Sequence, residues 1–156
     1  MRNKMVVCKH CGTEIEDGFM YGSVTYKNYN HQYHEISFYN IKDRSNPYKI
    51  KTFTIKGQYD SSRIADGYFY GFSKYYVNPG ESVKDYDSYI PQVDGVRLKA
   101  EQILLPDEND GNCYLVLTSI DMTNPIKFTE TTAVVTDSNM YYVSGENIYI
   151  ADSLGW

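Results

Sequence analysis

Phe38–Ile50 reads FYNIKDRSNPYKI, and Leu117–Phe128 reads LTSIDMTNPIKF. Each stretch is a β-rich run, a polar turn closing on Asn-Pro, and a second β-rich run. Pro47 and Pro125 have no N–H to give to a ladder and hold the asparagine before them extended, so both stretches predict strand–turn–strand. The match reaches beyond the turns. Aligning Ile41 with Ile120 also aligns Tyr70 with Tyr149 at the same spacing, and Ile64 then falls opposite Val143. Asn46-Pro47 and Asn124-Pro125 lie one residue out of step between these anchors, so two small shifts cancel across the unit. A chain that repeats at one spacing stacks copies of a supersecondary unit, because each copy cannot cover its own apolar faces.

Working outward, Met5–Cys8, Ser23–Tyr29, Glu35–Ile41, Tyr48–Gly57, Tyr68–Tyr76, Cys113–Ile120, Ile126–Thr136 and Met140–Asp152 all predict strand. Glu35–Ile41 carries Ile36 and Phe38 on one face and Tyr39 and Ile41 on the other, the pattern of a strand buried on both sides. Tyr48–Gly57 sets Ile50, Phe53 and Ile55 among Lys and Thr, which predicts one wet face. Asp66-Gly67 between two β-rich runs is a hairpin signal. From Val77 to Asn112 the pattern breaks at Pro79-Gly80, Pro91, Asp94-Gly95 and Pro106. This stretch is expected as an insertion between two repeats, and its segment VRLKAEQILL, Val96–Leu105, is the one credible short helix.

Composition agrees. The chain has 156 residues and 17 tyrosines, with Ala and Leu scarce, which favours a pleated, half-buried surface. The expected fold class is therefore all-β, with antiparallel sheets. Without the insertion the repeat is about 40–45 residues of three or four strands, the length of a β-propeller blade. An antiparallel sandwich is the alternative, since its strands and turns are of similar length.

The order of motifs carries a resemblance. FYNIKDRSNPYKIKTFTIKGQYDSSRIADGYFYGF, then LVLTSIDMTNP, then MYYVSGENIYIADSLGW, resembles bacterial secreted proteins with a C-terminal β-propeller domain, distantly related to WD-repeat propellers. The likeness runs from Tyr26 to Trp156. It implies about two blades of a partial propeller; the residues themselves make 1–22 a first-strand or zinc-knuckle-like segment and 77–112 an inter-blade insertion. It also implies an extracytoplasmic setting and a non-catalytic structural or binding role toward a protein or glycan. Arg63 falls on a matched position, where a structural role tying strand to turn is expected. Exposed blade edges predict self-association or instability of the chain by itself.

Chemistry-bearing motifs are sparse. CKHCG, Cys8–Gly12, resembles the first knuckle of a zinc ribbon, and His31 and His34 complete a formal Cys2His2 set with Cys8 and Cys11. Zinc is thus the alternative to no cofactor. The spacing of the histidines is short, and on a strand their rings would face opposite ways. The bland reading makes CGTEIEDG a hairpin loop and the histidines strand residues. Asp107–Asn112 (DENDGN) lacks the ligand spacing of a calcium loop and reads as a solvated acidic turn. Cys113, in an apolar run, reads as a small core residue. No nucleophile elbow or phosphate loop is present, and nothing selects a carboxylate pair.

Charge narrows the partners. A net charge of -5 and a pI near 5.1 argue against nucleic acid. No apolar run is long enough to cross a bilayer, and no signal peptide is visible at residues 1–12. The tyrosines are expected mainly in sheet packing, with a minority available as a glycan or peptide platform. Two other function classes stay open: a zinc-ribbon-headed interaction protein and a carbohydrate-active enzyme on a propeller scaffold.

Overall fold

Alternating apolar residues bounded by Asn-Pro and Asp-Gly turns fold into antiparallel ladders. A computed structural model describes residues 6–7, 14–15, 19–28, 31–77, 86–107, 111–144 and 147–151. The elements are β1 (Val6–Val7), β2 (Glu14–Ile15), β3 (Phe19–Asn28), β4 (His31–Asn40), β5 (Tyr48–Lys56), β6 (Gln58–Ala65), β7 (Tyr68–Tyr76), α1 (Tyr86–Tyr89), β8 (Gln92–Val93), β9 (Val96–Arg97), a 3-10 turn (Ala100–Gln102), β10 (Ile103–Leu104), β11 (Cys113–Asp121), β12 (Glu130–Val135), β13 (Met140–Val143) and β14 (Ile148–Ala151). The first sheet runs β3-β4-β5-β8-β9 and the second β10-β12-β11-β7-β6. β13–β14 form a third, two-stranded layer, and β1–β2 pair separately. The fold is all-β, and among the described residues every ladder apart from the parallel β10–β12 pair is antiparallel.

The repeat is visible in atoms. At the β4–β5 turn, Asp43 Oδ1 accepts from the Ser45 backbone N–H (3.0 Å) and hydroxyl (2.6 Å), and the Asn46 N–H donates to the Asp43 carbonyl (3.1 Å). At the β11–β12 turn, Asp121 Oδ1 accepts from the Thr123 N–H (2.8 Å) and hydroxyl (2.7 Å), and the Asn124 N–H donates to the Asp121 carbonyl (3.2 Å). In both turns the side-chain hydroxyl is the main cause holding the carboxyl below its ordinary range. The two Asn-Pro turns therefore occupy equivalent places. β4–β5 matches β11–β12, and β6–β7 matches β13–β14.

Stacking follows from the alternation. In β11 the even positions Val116 and Ile120 face the first sheet and meet Ile36, Phe38, Phe53, Ile55, Phe69 and Ala133 in the main core. The odd position Leu115 faces the other way, where it meets Phe72 and Val143, with Tyr141, Leu117 and Ile150 around them. Phe38 is the hinge of the main core, edge-on to Phe53 (5.8 Å) and Phe69 (5.4 Å). Across the second interface, Phe72 stacks on Tyr141 at 4.2 Å. The second sheet is thus covered on one face by the first sheet and on part of the other by β13–β14, so each layer removes its neighbour's apolar face from water.

Three expectations change in detail. The both-faces burial expected of Glu35–Ile41 belongs instead to β7 and β11. β4 buries His34, Ile36 and Phe38, while Tyr33, Glu35, Ser37 and Tyr39 are half-buried. The helical signal of Val96–Leu105 shrinks to the turn Ala100–Gln102, in which the Lys99 N–H donates to Gln102 Oε1, while α1 makes one further turn at Tyr86–Tyr89. A lone ten-residue helix is marginal, and here two sheet edges compete for its backbone: β9 joins the β8 hairpin that adds to β5, and β10 adds to β12. Residues 77–112 were expected between two sheets. They leave β7 and return as β11, its direct neighbour, so the insertion lies within the strand order of the second sheet while adding β8 and β9 to the edge of the first sheet and β10 to the edge of the second.

Candidate functional site

His34 is the proposed metal ligand whose surroundings are described, and it is fully buried. β4 presents it in register with Ile36 and Phe38, on the face turned to the second sheet. Its Nδ1–H donates to the Gly57 carbonyl at 3.0 Å, and its Nε2 lies 3.1 Å from the Ser73 hydroxyl, which donates to it. With both ring nitrogens engaged, no lone pair is directed at a metal, and His34 leaves the Cys2His2 set for a structural role. Cys8 and Cys11 lie outside the described residues, and His31 is described only by its backbone in β4. Among the described residues no cluster of three His, Cys, Asp or Glu side chains is placed to hold a metal.

Ser73 and His34 stand in the relation of a nucleophile and its base, with the Gly57 carbonyl orienting the ring. Yet Ser73 is 1% exposed and His34 0%, between two packed sheets where no substrate atom reaches. The pair does what a polar bridge in a core does: it satisfies its own groups and fixes the alignment of the sheets. Burial lowers the His34 pKa, opposed by the Gly57 hydrogen bond. The ring is therefore neutral in the folded chain over a wider range than in the unfolded one. Its contribution is complete above the unfolded value of about 6.5 and is lost as pH falls below it, by at most about 1.4 kcal/mol per pH unit until the folded pKa is reached. Thermal melts at pH 7.5 and pH 5 should show this loss, and His34→Gln should flatten it; an equal acid slope in the variant contradicts the assignment.

The other marked residues are also structural. Arg63 is on β6 and places its guanidinium 5.7 Å from the centre of the Tyr142 ring, linking the second sheet to the third layer rather than strand to turn. Cys113 is fully buried, and burial pushes its thiol up to about 11, far from a reactive thiolate. Buried Lys74 beside it donates to the Asp137 carbonyl and to Asn139 Oδ1. Asp94, one of the acidic residues of the insertion, accepts from the Thr54 N–H (2.9 Å) and pairs with Lys51 (3.6 Å), tying the β8–β9 hairpin to β5.

What sequence reasoning missed is a groove of about 300 Å3 on the second face of the second sheet. Tyr70, Leu117 and Val134 form its floor, Leu104 of β10 one wall, and Ile148 and Ile150 of β14 the other. Ser119, Thr132 and Asn147 add polar edges, and Glu130 is the one carboxylate among the described residues of the lining. The signal was present in the alternation of LVLTS, Leu115–Ser119, which makes both faces of β11 apolar; only the topology shows that one of them is half covered. Nearby, Leu104 and Leu105 are 55% and 71% exposed.

A family model described as a beta propeller domain matches residues 1–156. Comparison with curated proteins and with solved structures gives no match.

Proposed function

The chain belongs to the beta propeller domain family, and from that premise we propose that it acts as a non-catalytic binding module. The observation that carries this reading is the contrast between its reactive and its accessible groups. The serine–histidine pair and the described cysteine are sealed in the core, whereas the apolar groove described above opens on a sheet face. The motif order shared with exported bacterial propellers extends the proposal to an extracytoplasmic protein whose ligand is protein or glycan.

The test is direct. Incubation with a panel of glycans and of chromogenic ester and glycoside substrates should give no turnover above buffer. Turnover that survives repeated purification and disappears with Glu130→Gln would overturn the reading.

A further inference from the structure

We propose that residues 92–104 of the insertion form a clasp, a strap that locks the spacing of the first and second sheets along one side of the stack and opens as a unit. β6 lies against β3 and β4. The β3 and β6 edges therefore share one side, and β9 and β10, at the far end of each strand order, share the other. On the β6 side the sheets are joined by the chain itself, through Gly57, and by His34, which bonds both Gly57 and Ser73. On the opposite side the repeat sets β5 and β12 in equivalent places, one in each sheet, and the insertion spans from one to the other.

Each end of the strap has its own foot. At the first, the Asp94 N–H donates to the Thr54 carbonyl (2.7 Å), and the Thr54 N–H donates to Asp94 Oδ1 (2.9 Å). Lys51 pairs with the same carboxylate at 3.6 Å, and Val93 pairs with Ile55 in the ladder. At the second foot, Ile103 and Leu104 pair with Ala133 and Val134. Gln102 is the catch between strap and sheet. Its Oε1 accepts from the Lys99 N–H (3.0 Å), closing the 3-10 turn, and its Nε2 donates to the Thr131 carbonyl (2.9 Å).

The span between the feet has little slack. β9 lies two antiparallel steps from β5 and runs in the same sense as it; β10 runs parallel to β12. The chain thus passes from one sheet to the other without reversing. Leu98, 5% exposed, turns from the span into the main core beside Val93, and its N–H donates to the Pro91 carbonyl (3.0 Å). A short segment pinned at both ends and in the middle cannot stretch around a widened cleft. Releasing one foot therefore frees the other, which two independent edge strands would not do.

The test is native-state hydrogen exchange of the full chain, read by NMR. Asp94→Gly removes the carboxylate from the first foot and keeps a residue suited to the positive φ of 50°. Gln102→Glu removes the donor to Thr131 from the second. Each variant is read at the opposite foot. The reporter for Asp94→Gly is the Gln102 N–H, bonded to the Lys99 carbonyl (3.0 Å), and for Gln102→Glu it is the Asp94 N–H. Exchange there should speed up about tenfold or more, while the amide of Val116, in the centre of the second sheet, changes by less than about threefold. Circular dichroism checks that each variant is folded, and either one decides the matter if the other unfolds. Acceleration confined to the altered foot would overturn the proposal, since the feet would then be independent. Equal acceleration at Val116 would overturn it too, because the whole core and not the clasp would have loosened.

Discussion

Replacing Gly57 with alanine should remove about 3 kcal/mol of stability, the sum of positive-φ strain and a displaced neighbour. Gly57 joins the first sheet to the second at the end of β5, with φ of +126°. A Cβ there would lie 2.8 Å from the Lys74 carbonyl oxygen and 3.3 Å from Tyr75 Cβ. Neither is the loose end of a side chain, so the sheets must part. The same residue's carbonyl accepts the His34 Nδ1–H, and parting the sheets stretches that bond too. Gly67 is the control. Its φ is +78° but an added Cβ meets nothing within 4 Å, so Gly67→Ala should cost only the turn strain, about 1 kcal/mol. Urea denaturation of both variants gives the comparison; equal losses would mean the close approach at Gly57 does not hold the sheets in place.

Phe38→Ala is expected to cost about 3–5 kcal/mol, the range for deleting a fully buried ring. The side chain is 0% exposed and packs edge-on against Phe53 of its own sheet and Phe69 of the next. Removing it leaves a cavity between two sheets that cannot collapse, since both are held by their ladders. Against a usual stability of about 5–15 kcal/mol, such a loss approaches global unfolding. Tyr48→Ala, at a 60% exposed position of β5, should change stability by about 0.5 kcal/mol or less. If the two variants melt alike, the interface is not where the chain stores its stability.

Much of this architecture could be read from residue order. Asp66-Gly67 turns with positive φ at both residues, 49° and 78°, as the dipeptide predicts. The two Asn-Pro turns hold the same hydrogen bonds because Asp43 and Asp121 each stand two residues before a hydroxyl side chain. Asp94-Gly95 obeys the same hairpin rule, with φ of 50° and 73°, although the prolines around it made the stretch look irregular. What stayed hidden depends on distant partners. Whether Ile103 and Leu104 form a helix or a strand is decided by the edge of β12, which local periodicity does not report. His34 is a candidate ligand in the sequence because, with His31, it completes a formal Cys2His2 set with Cys8 and Cys11. Its true partners, Gly57 and Ser73, become neighbours only when the two sheets pack. The groove was hidden for the same reason: the alternation along β11 marks two apolar faces but not which of them stays open.

Nuclear Overhauser contacts between aromatic rings of consecutive layers test the stacking most directly. The account predicts cross-peaks between Phe38 and Phe69, whose rings lie 5.4 Å apart, and between Phe72 and Tyr141, at 4.2 Å. Both sets present in one folded species means that the second sheet is covered on its two faces by the layers before and after it. Strand pairing within each sheet but no contact across one or both interfaces would contradict the account.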